Sequence, residues 1–136
     1  MKHGILINLK GSAEAAAFYM KALDLKINPD MVDMNDDGTY KHISLVSGDT
    51  EIIAISEDVL NIYDDKTANG KPPMAVVGIW DISKEAVDQA YAVLSEGARH
   101  NENINGPGVP DWDDEGECYG FGLVDKYGVS WRIIKL

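Results

Sequence analysis

Residues 119–131 read YGFGLVDKYGVSW, a pattern typical of two β-strands joined by a tight turn. Glycine tolerates the positive φ that such turns require, so Tyr127 and Gly128 mark the turn. We predict strands at residues 119–124 and 130–134. A second hairpin is predicted from strands at residues 40–47 and 51–56, which flank the turn residues Ser47, Gly48 and Asp49.

The chain that precedes each hairpin also follows one pattern. A short apolar run comes first, at residues 5–9 and 74–80, and a helix with an apolar stripe follows. Ser12 and Ser83 are the predicted N-caps of these helices, and the offset of 71 between them also aligns Glu14 with Glu85. Such self-similarity indicates an internal duplication.

The first helix is predicted to bury one apolar stripe. Each of the two helices is followed by another strand. The stripe recurs at helical spacing and consists of Ala13, Ala16, Ala17, Met20 and Leu23. The additional strands are predicted at residues 25–32 and 98–104. Each half therefore has the order βαβββ.

We predict an α+β fold in which two βαβββ modules form curved mixed sheets around a cleft. The expected domain is a single one over residues 1–136, with module one at about 1–60 and module two at about 73–136. Each half is too small to fold alone, so the polar residues 57–73 are interpreted as a connection within the domain. Trp80 and Trp131 lie in strands and are expected in the core.

Composition restricts the partners and the location of the protein. Its 12 Lys and Arg residues against 23 Asp and Glu residues give a net charge of −11, which argues against nucleic-acid binding and makes a cationic ligand possible. One cysteine excludes an internal disulfide, as in a reducing compartment. The apolar runs are too short for a signal peptide or a membrane span. We therefore expect a cytoplasmic protein with no membrane partner.

Three segments together resemble the vicinal oxygen chelate superfamily, and its PhnB-like branch in particular. They are AEAAAFYMKAL at residues 13–23, HISLVSGDTEIIAISED at 42–58, and the YGFGLVDKYGVSW hairpin. The superfamily includes glyoxalase I, bleomycin-resistance proteins, fosfomycin-resistance proteins and extradiol dioxygenases. The resemblance covers essentially the whole chain. It implies a glyoxalase/bleomycin-resistance-like fold, a homodimer, and a small-molecule ligand in a pocket that often involves both subunits.

The resemblance also indicates where a metal would be bound. Metal-dependent members hold a divalent ion with His, Gln or Glu side chains on the first and last strands of each module, and these positions correspond here to His3, Ala54, Met74 and Arg132. Only His3 can ligate a metal well, and Arg132 repels one, whereas a site needs about three protein ligands. We expect no metal site and no cofactor.

His42 is the candidate catalytic residue. The strand at residues 40–47 places Tyr40, His42 and Ser44 on one face, which we expect to line the cleft. An imidazole there can bond a ligand or accept its proton near neutral pH. A partly buried histidine that is bonded by a neighbouring strand is the structural alternative.

Beside Tyr40 and His42, four residues are predicted to contact the ligand: His3, Met74, Trp112 and Arg132. Arg132 is interpreted as an anchor for a carboxylate or phosphate, or else as the partner of an internal acid. Trp112 lies in the acidic loop GPGVPDWDDEGE at residues 106–117, which the resemblance places over the pocket. Its indole can stack on a planar or cationic ligand, hold the loop against the body of the protein, or lie at a dimer interface.

The sequence leaves open whether the protein is an enzyme. The first hypothesis is a metal-free binding protein that holds a small molecule at or near a dimer interface, as bleomycin-resistance proteins do. The alternatives are a metal-dependent lyase or isomerase of the glyoxalase type, and a metal-free acid–base enzyme that uses His42.

Overall fold

Two units make up the chain, Met1–Gly70 and Lys71–Leu136, each with one helix and one four-stranded sheet. The structure, a computed structural model, describes residues 4–59, 75–111 and 113–136. The predicted α+β class and the two βαβββ modules are confirmed. Most of the connection predicted at residues 57–73 lies outside the described residues, as do His3, Met74 and Trp112.

The first unit contains a mixed sheet that carries helix α1. Its elements are β1 (Leu6–Leu9), α1 (Ser12–Leu23), β2 (Lys26–Met34), β3 (Tyr40–Ser47) and β4 (Thr50–Glu57). The strand order is β1-β4-β3-β2, with β1 parallel to β4 and the other pairs antiparallel. The parallel β1–β4 pair follows from the helical crossover, while β3 and β4 are joined by the predicted hairpin turn.

The second unit repeats this arrangement. Its elements are β5 (Val77–Trp80), α2 (Lys84–Leu94), β6 (His100–Asn101), β7 (Tyr119–Val124) and β8 (Ser130–Lys135). The strand order is β5-β8-β7-β6, and β5 is the strand parallel to β8. The same order and the same strand directions in both units support the predicted duplication. Neither helix is long and apolar enough to cross a membrane.

The buried side of α1 differs from the predicted stripe. Ala13 and Ala17 are exposed, whereas the buried residues are Ser12, Ala15, Ala16, Phe18, Tyr19 and Ala22. The aromatic rings of Phe18 and Tyr19 remove much more apolar surface from water than alanine methyl groups do, so they set the rotation of the helix. On the sheet, Ile43, Leu45, Ile53 and Ile55 are fully buried.

The start of α1 is stabilised from outside the helix, and the prediction of Ser12 as its N-cap is wrong. The cap is Gly11, in the left-handed region at φ 78°. The backbone N–H groups of Gly11 and Ser12 donate to the carboxylate of Glu57 at the end of β4, at 3.1 and 2.7 Å. The Ser12 hydroxyl instead accepts the N–H of Tyr40 at 2.8 Å. Ser83, by contrast, caps α2 as predicted, because its hydroxyl accepts the N–H of Ala86 at 3.1 Å.

Strand β8 of the second unit is anchored through the buried Asp125, which closes the turn after β7. One oxygen of its carboxylate accepts the backbone N–H groups of Tyr127 and Val129 at 2.8 and 3.0 Å. The other accepts the indole N–H of the buried Trp131 at 2.9 Å. The predicted core position of Trp131 is thus confirmed, and its hydrogen bond fixes which face of β8 meets α2.

Strand β6 is much shorter than the predicted segment 98–104. The side chain of Asn101 accepts the N–H of Asn103 at 2.9 Å, and the carbonyl of Asn103 accepts the N–H of Gly106. These local bonds turn the chain away from the ladder, because asparagine side chains compete with strand pairing. His100 and Asn101 form the paired strand, and the flanking N–H groups of Arg99 and Glu102 still donate to the carbonyls of Val124 and Gly122 on β7, at 2.8 and 3.1 Å.

Glu57→Gln is expected to lower the free energy of unfolding by about 1 kcal/mol at pH 7, since it removes the charge that caps α1. Burial raises the pKa of the Glu57 carboxyl, but the hydrogen bonds from Ser12 and Gly11 outweigh this, and the pKa lies below its ordinary 4.5. A lowered pKa stabilises the fold above the ordinary value, and the gain is lost as the pH falls through the folded pKa.

Urea denaturation at a series of pH values checks this. The difference between wild type and Glu57→Gln should be largest at neutral pH and should close below pH 4.5. Glu115→Gln, at an exposed turn position, is the matched control and should change little. A difference that is independent of pH would contradict the charged cap.

Candidate functional site

One face of the second sheet carries a cation between two glycines. Trp131 and Ile133 on β8 are buried, so Arg132 between them points to the opposite face. The register pairs Arg132 with Gly78 on β5 and with Gly122 on β7. Residues paired in this way lie on one face of a sheet, and the glycines leave room for other side chains on both sides of the guanidinium.

Glu102 fills part of this space and forms an ion pair with Arg132. Its Oε2 lies 3.0 Å from Nη2 of Arg132, and the two side chains are 50% and 45% exposed. A Cβ at Gly122 would lie 2.5 Å from Oε2 of Glu102 and 3.2 Å from Nη2 of Arg132. The ion pair therefore depends on the missing side chain of Gly122.

On the other side of Arg132, the indole of Trp80 lies over Gly78. A Cβ at Gly78 would meet Cζ3 of Trp80 at 2.7 Å, which a real side chain does not tolerate. Trp80 is 65% exposed, so the prediction that it belongs to the core is wrong. Its aromatic surface faces solvent at the end of the edge strand β5, because Gly78 lets the ring lie along the sheet.

A hollow of about 240 Å³ opens beside the ion pair. Its lining combines sheet residues with the loop that follows β6, and consists of Glu102, Asn103, Val109, Pro110, Asp111, Gly120, Phe121, Gly122, Arg132 and Ile134. Gly108 and Gly120 exchange two backbone hydrogen bonds of 2.9 Å, which hold the start of the loop against β7. A second hollow of about 230 Å³ shares Glu102 and Arg132 with the first.

The polar wall of the first hollow is held in place by other side chains. The Asn103 side-chain oxygen accepts the N–H of Gly122 at 3.1 Å, and its backbone carbonyl accepts the hydroxyl of Tyr91 at 2.6 Å. Within the same loop, the Asp113 carboxylate accepts the N–H of Cys118 at 2.6 Å, and this bond lowers the pKa of Asp113. Burial and the nearby carboxylate of Asp113 raise the pKa of the Cys118 thiol, so that cysteine is a poor nucleophile.

The row of three paired residues in the first unit that corresponds to Gly78, Arg132 and Gly122 carries no charge. Ala54 pairs with Leu6 on β1 and with Ser44 on β3, which makes Ala54 the counterpart of Arg132. The offset of 78 between these two positions agrees with the prediction from the hairpins. The first strands are offset by 72, from Leu6 to Gly78, one residue more than the offset between the predicted helix caps.

His42 lies two residues before Ser44 on β3. The buried hydroxyl of Ser44 donates to the Glu51 carboxylate at 2.5 Å. The ring of His42 is half-buried, and its Nε2 is a buried atom that has no hydrogen-bond partner among the described residues. The alternative interpretation is that a neighbouring strand hydrogen-bonds this histidine, and Nε2 does not support it. Tyr40 is half-buried at the start of the same strand.

The residues at the metal positions do not fit a divalent ion. Ala54 offers only a methyl group, and Arg132 is a cation that bonds Glu102. The other two positions, His3 and Met74, lie outside the described residues. Within the described ranges, no three His, Cys, Asp or Glu side chains converge as metal ligands would.

The predicted site residues are thus separated by unit. Arg132 and the start of the acidic loop line the first hollow together. Tyr40 and His42 lie together on β3 in the other unit. Glu102, Gly78 and Trp80 were missed. The glycines at alternate positions 120 and 122 of a strand are the sequence signal that points to this face.

No protein-family model and no curated protein matches the chain. Solved structures of the same fold do match it. A PhnB protein from Bacillus cereus has a TM-score of 0.72 and 19% identity, with 100% of both chains covered. A glyoxalase/bleomycin resistance protein from Albidiferax ferrireducens T118 has a TM-score of 0.62 and 20% identity, with 100% of this chain and 99% of that chain covered.

The fosfomycin resistance protein FosX from Mesorhizobium loti is also similar, with a TM-score of 0.61 and 10% identity over 100% of this chain and 92% of that chain. These structures belong to the vicinal oxygen chelate superfamily, and identities this low demonstrate a shared fold only. The predicted glyoxalase/bleomycin-resistance-like fold is therefore confirmed.

His42→Leu is expected to raise the free energy of unfolding by about 1 kcal/mol, because it removes a buried nitrogen that has no hydrogen-bond partner in the described part of the chain. Ser44→Ala is the matched comparison on the same strand. It should lower stability, since it removes a hydrogen bond at a fully buried position. Urea denaturation at pH 7 measures both. A clear loss of stability in His42→Leu would mean that the imidazole is bonded in solution.

Proposed function

We propose that the protein is a small-molecule-binding protein that needs no metal ion, and that its ligand occupies the first hollow of the second unit with Arg132 as an anchor. The observation that carries the proposal is the row Gly78–Arg132–Gly122, in which a cation stands between two positions without side chains. Glu102 and Trp80 lie over the two glycines, and the half-exposed guanidinium between them lines the hollow, where a ligand gains a charged contact.

The exposure of the ion pair supports a binding role over a structural one. Ion pairs that are about half exposed stabilise a fold by only about 0–1 kcal/mol, so Arg132 and Glu102 contribute little to folding at 45% and 50% exposure. Within the described part of the chain, Arg132 donates only one hydrogen bond. Its other N–H groups are free for a carboxylate or phosphate, which a guanidinium binds through two parallel bonds.

The proposal includes a homodimer, which the sequence resemblance implies. Edge strand β2 supports it, because four apolar side chains there are between 38% and 51% exposed: Ile27, Met31, Val32 and Met34. An exposed apolar edge is a surface that soluble proteins usually cover.

A metal-free acid–base enzyme is the second candidate, and the unpartnered Nε2 of His42 favours it. A buried imidazole nitrogen without an internal partner is available to a ligand. The two candidates differ in one respect: in the first, His42→Gln would leave ligand binding at Arg132 intact, whereas in the second it would abolish turnover of a ligand bound beside His42.

Arg132→Gln is expected to abolish most binding of acidic fragments. A library of small carboxylates, phosphonates, cationic aromatics and neutral compounds is screened by ligand-observed NMR. Wild-type protein should bind several acids that compete for one site, and their affinity should fall about tenfold in the variant, as removal of a charged hydrogen-bond partner does.

Arg99→Gln is the matched control, since Arg99 is an exposed arginine of the same unit outside both hollows. Binding that is unchanged in Arg132→Gln but lost in Arg99→Gln would contradict the proposal. Native mass spectrometry and elemental analysis of the same sample test its other parts. About one divalent ion per chain would contradict metal-free binding, and a monomer would contradict the homodimer.

A further inference from the structure

We infer that the first hollow selects a zwitterion that carries an aromatic ring, of the size and charge of an aromatic amino acid. This inference rests on the proposed binding at Arg132 and names the class of ligand. It depends on three features: the Glu102–Arg132 ion pair and Asp111, which line the hollow, and the indole of Trp80, which lies on the other side of Arg132 over Gly78.

The ion pair offers one bonding site of each sign. Nη2 of Arg132 and Oε2 of Glu102 are used in their mutual bond of 3.0 Å. A guanidinium has five N–H donors and a carboxylate two acceptor oxygens, so donors of Arg132 and the Oε1 of Glu102 remain. Within the described ranges, neither side chain makes a further hydrogen bond. A ligand with a carboxylate beside an ammonium can bond both without breaking the pair.

The charges around the hollow favour a ligand that carries both signs over a ligand that carries only one. Glu102 and Asp111 against Arg132 leave the lining with a net charge of −1. A simple anion that approaches Arg132 meets two carboxylates, while a simple cation that approaches Glu102 meets the guanidinium. A zwitterion can orient its carboxylate towards Arg132 and its ammonium towards Glu102 and Asp111, so that each charge lies beside its opposite.

Trp80 supplies the aromatic preference. It lies just outside the hollow: its Cα is paired with that of the lining residue Ile134, and its ring lies over Gly78, which pairs with the lining residue Arg132, so the ring of a ligand must extend past Arg132 to reach it. At 65% exposure, the indole presents free surface on which a second ring can stack. A volume of about 240 Å³ lies below the usual 300–1,000 Å³ of sites for drug-sized ligands, so the ligand is small.

Four matched probes test the inference by calorimetry at low ionic strength. L-phenylalanine carries both charges and the ring, 3-phenylpropionate lacks the ammonium, phenethylamine lacks the carboxylate, and cyclohexylalanine lacks aromaticity. We expect L-phenylalanine to bind about fivefold more tightly than each probe that lacks a charge, because a half-exposed ion pair contributes about this factor to affinity. Cyclohexylalanine should bind more weakly than L-phenylalanine because it cannot stack on Trp80.

Three variants assign the contacts, and thermal denaturation verifies that each is folded. Glu102→Gln should weaken the binding of the three ammonium probes, L-phenylalanine, cyclohexylalanine and phenethylamine, but strengthen that of 3-phenylpropionate, because it removes the carboxylate that repels an anion. Arg132→Gln should weaken the binding of the three carboxylate probes, L-phenylalanine, cyclohexylalanine and 3-phenylpropionate, and strengthen that of phenethylamine. Trp80→Leu should weaken the binding of the three aromatic probes. It should also reduce the advantage in affinity that L-phenylalanine has over cyclohexylalanine.

The outcomes separate this inference from the proposed function. If 3-phenylpropionate binds best and Arg132→Gln abolishes its binding, the hollow is an anion site and the zwitterion inference is wrong, while the proposed function stands. If L-phenylalanine binds but no variant changes its affinity, the location itself is wrong and both fail. If none of the four probes binds, the ligand class is wrong, and the acidic fragments of the screen then decide the proposed function alone.

Discussion

The register of strand β8 is the constraint on which the candidate site depends. Because side chains alternate along a strand, a slip of one residue would bury the guanidinium of Arg132 and expose Trp131 and Ile133. The buried bond between the Trp131 indole and Asp125 opposes such a slip, since it fixes the tryptophan on the side of α2. The same bond thereby holds Arg132 on the face that carries the hollow, opposite Gly78 and Gly122.

The two units share one backbone plan but differ in the chemistry of equivalent rows. In the first unit the row is Leu6, Ala54 and Ser44, which is apolar except for a hydroxyl bonded to Glu51. In the second it is a cation between two glycines. Duplication gives two copies of a sheet that only needs one functional face, so the copies are free to diverge. The charged side chain of the equivalent rows lies in the second unit, while His42 is a polar feature of β3 in the first.

Much of the fold followed from the sequence because its signals are local. The hairpin turns, the apolar runs and the Ser83 cap each depend on a few neighbouring residues, and the bounds of β3 and β7 were predicted as they are. The capping of α1 by Glu57 was not predicted, because Glu57 lies on a strand 45 residues after Ser12, whose N–H it accepts. The candidate site was predicted only through Arg132 and its loop. Glu102 and Trp80 depend on the space above Gly122 and Gly78. Strand pairing creates this space, and the local sequence does not indicate it.

The most direct test of the account is to map where a ligand binds. ¹⁵N-labelled protein is titrated with L-phenylalanine, and amide and indole resonances are followed by two-dimensional NMR. The account predicts that the largest changes occur at the Trp80 indole, Gly78, Gly122 and the side chain of Arg132. Changes that cluster instead around His42 and Ser44, with the resonances of the second sheet unmoved, would contradict it.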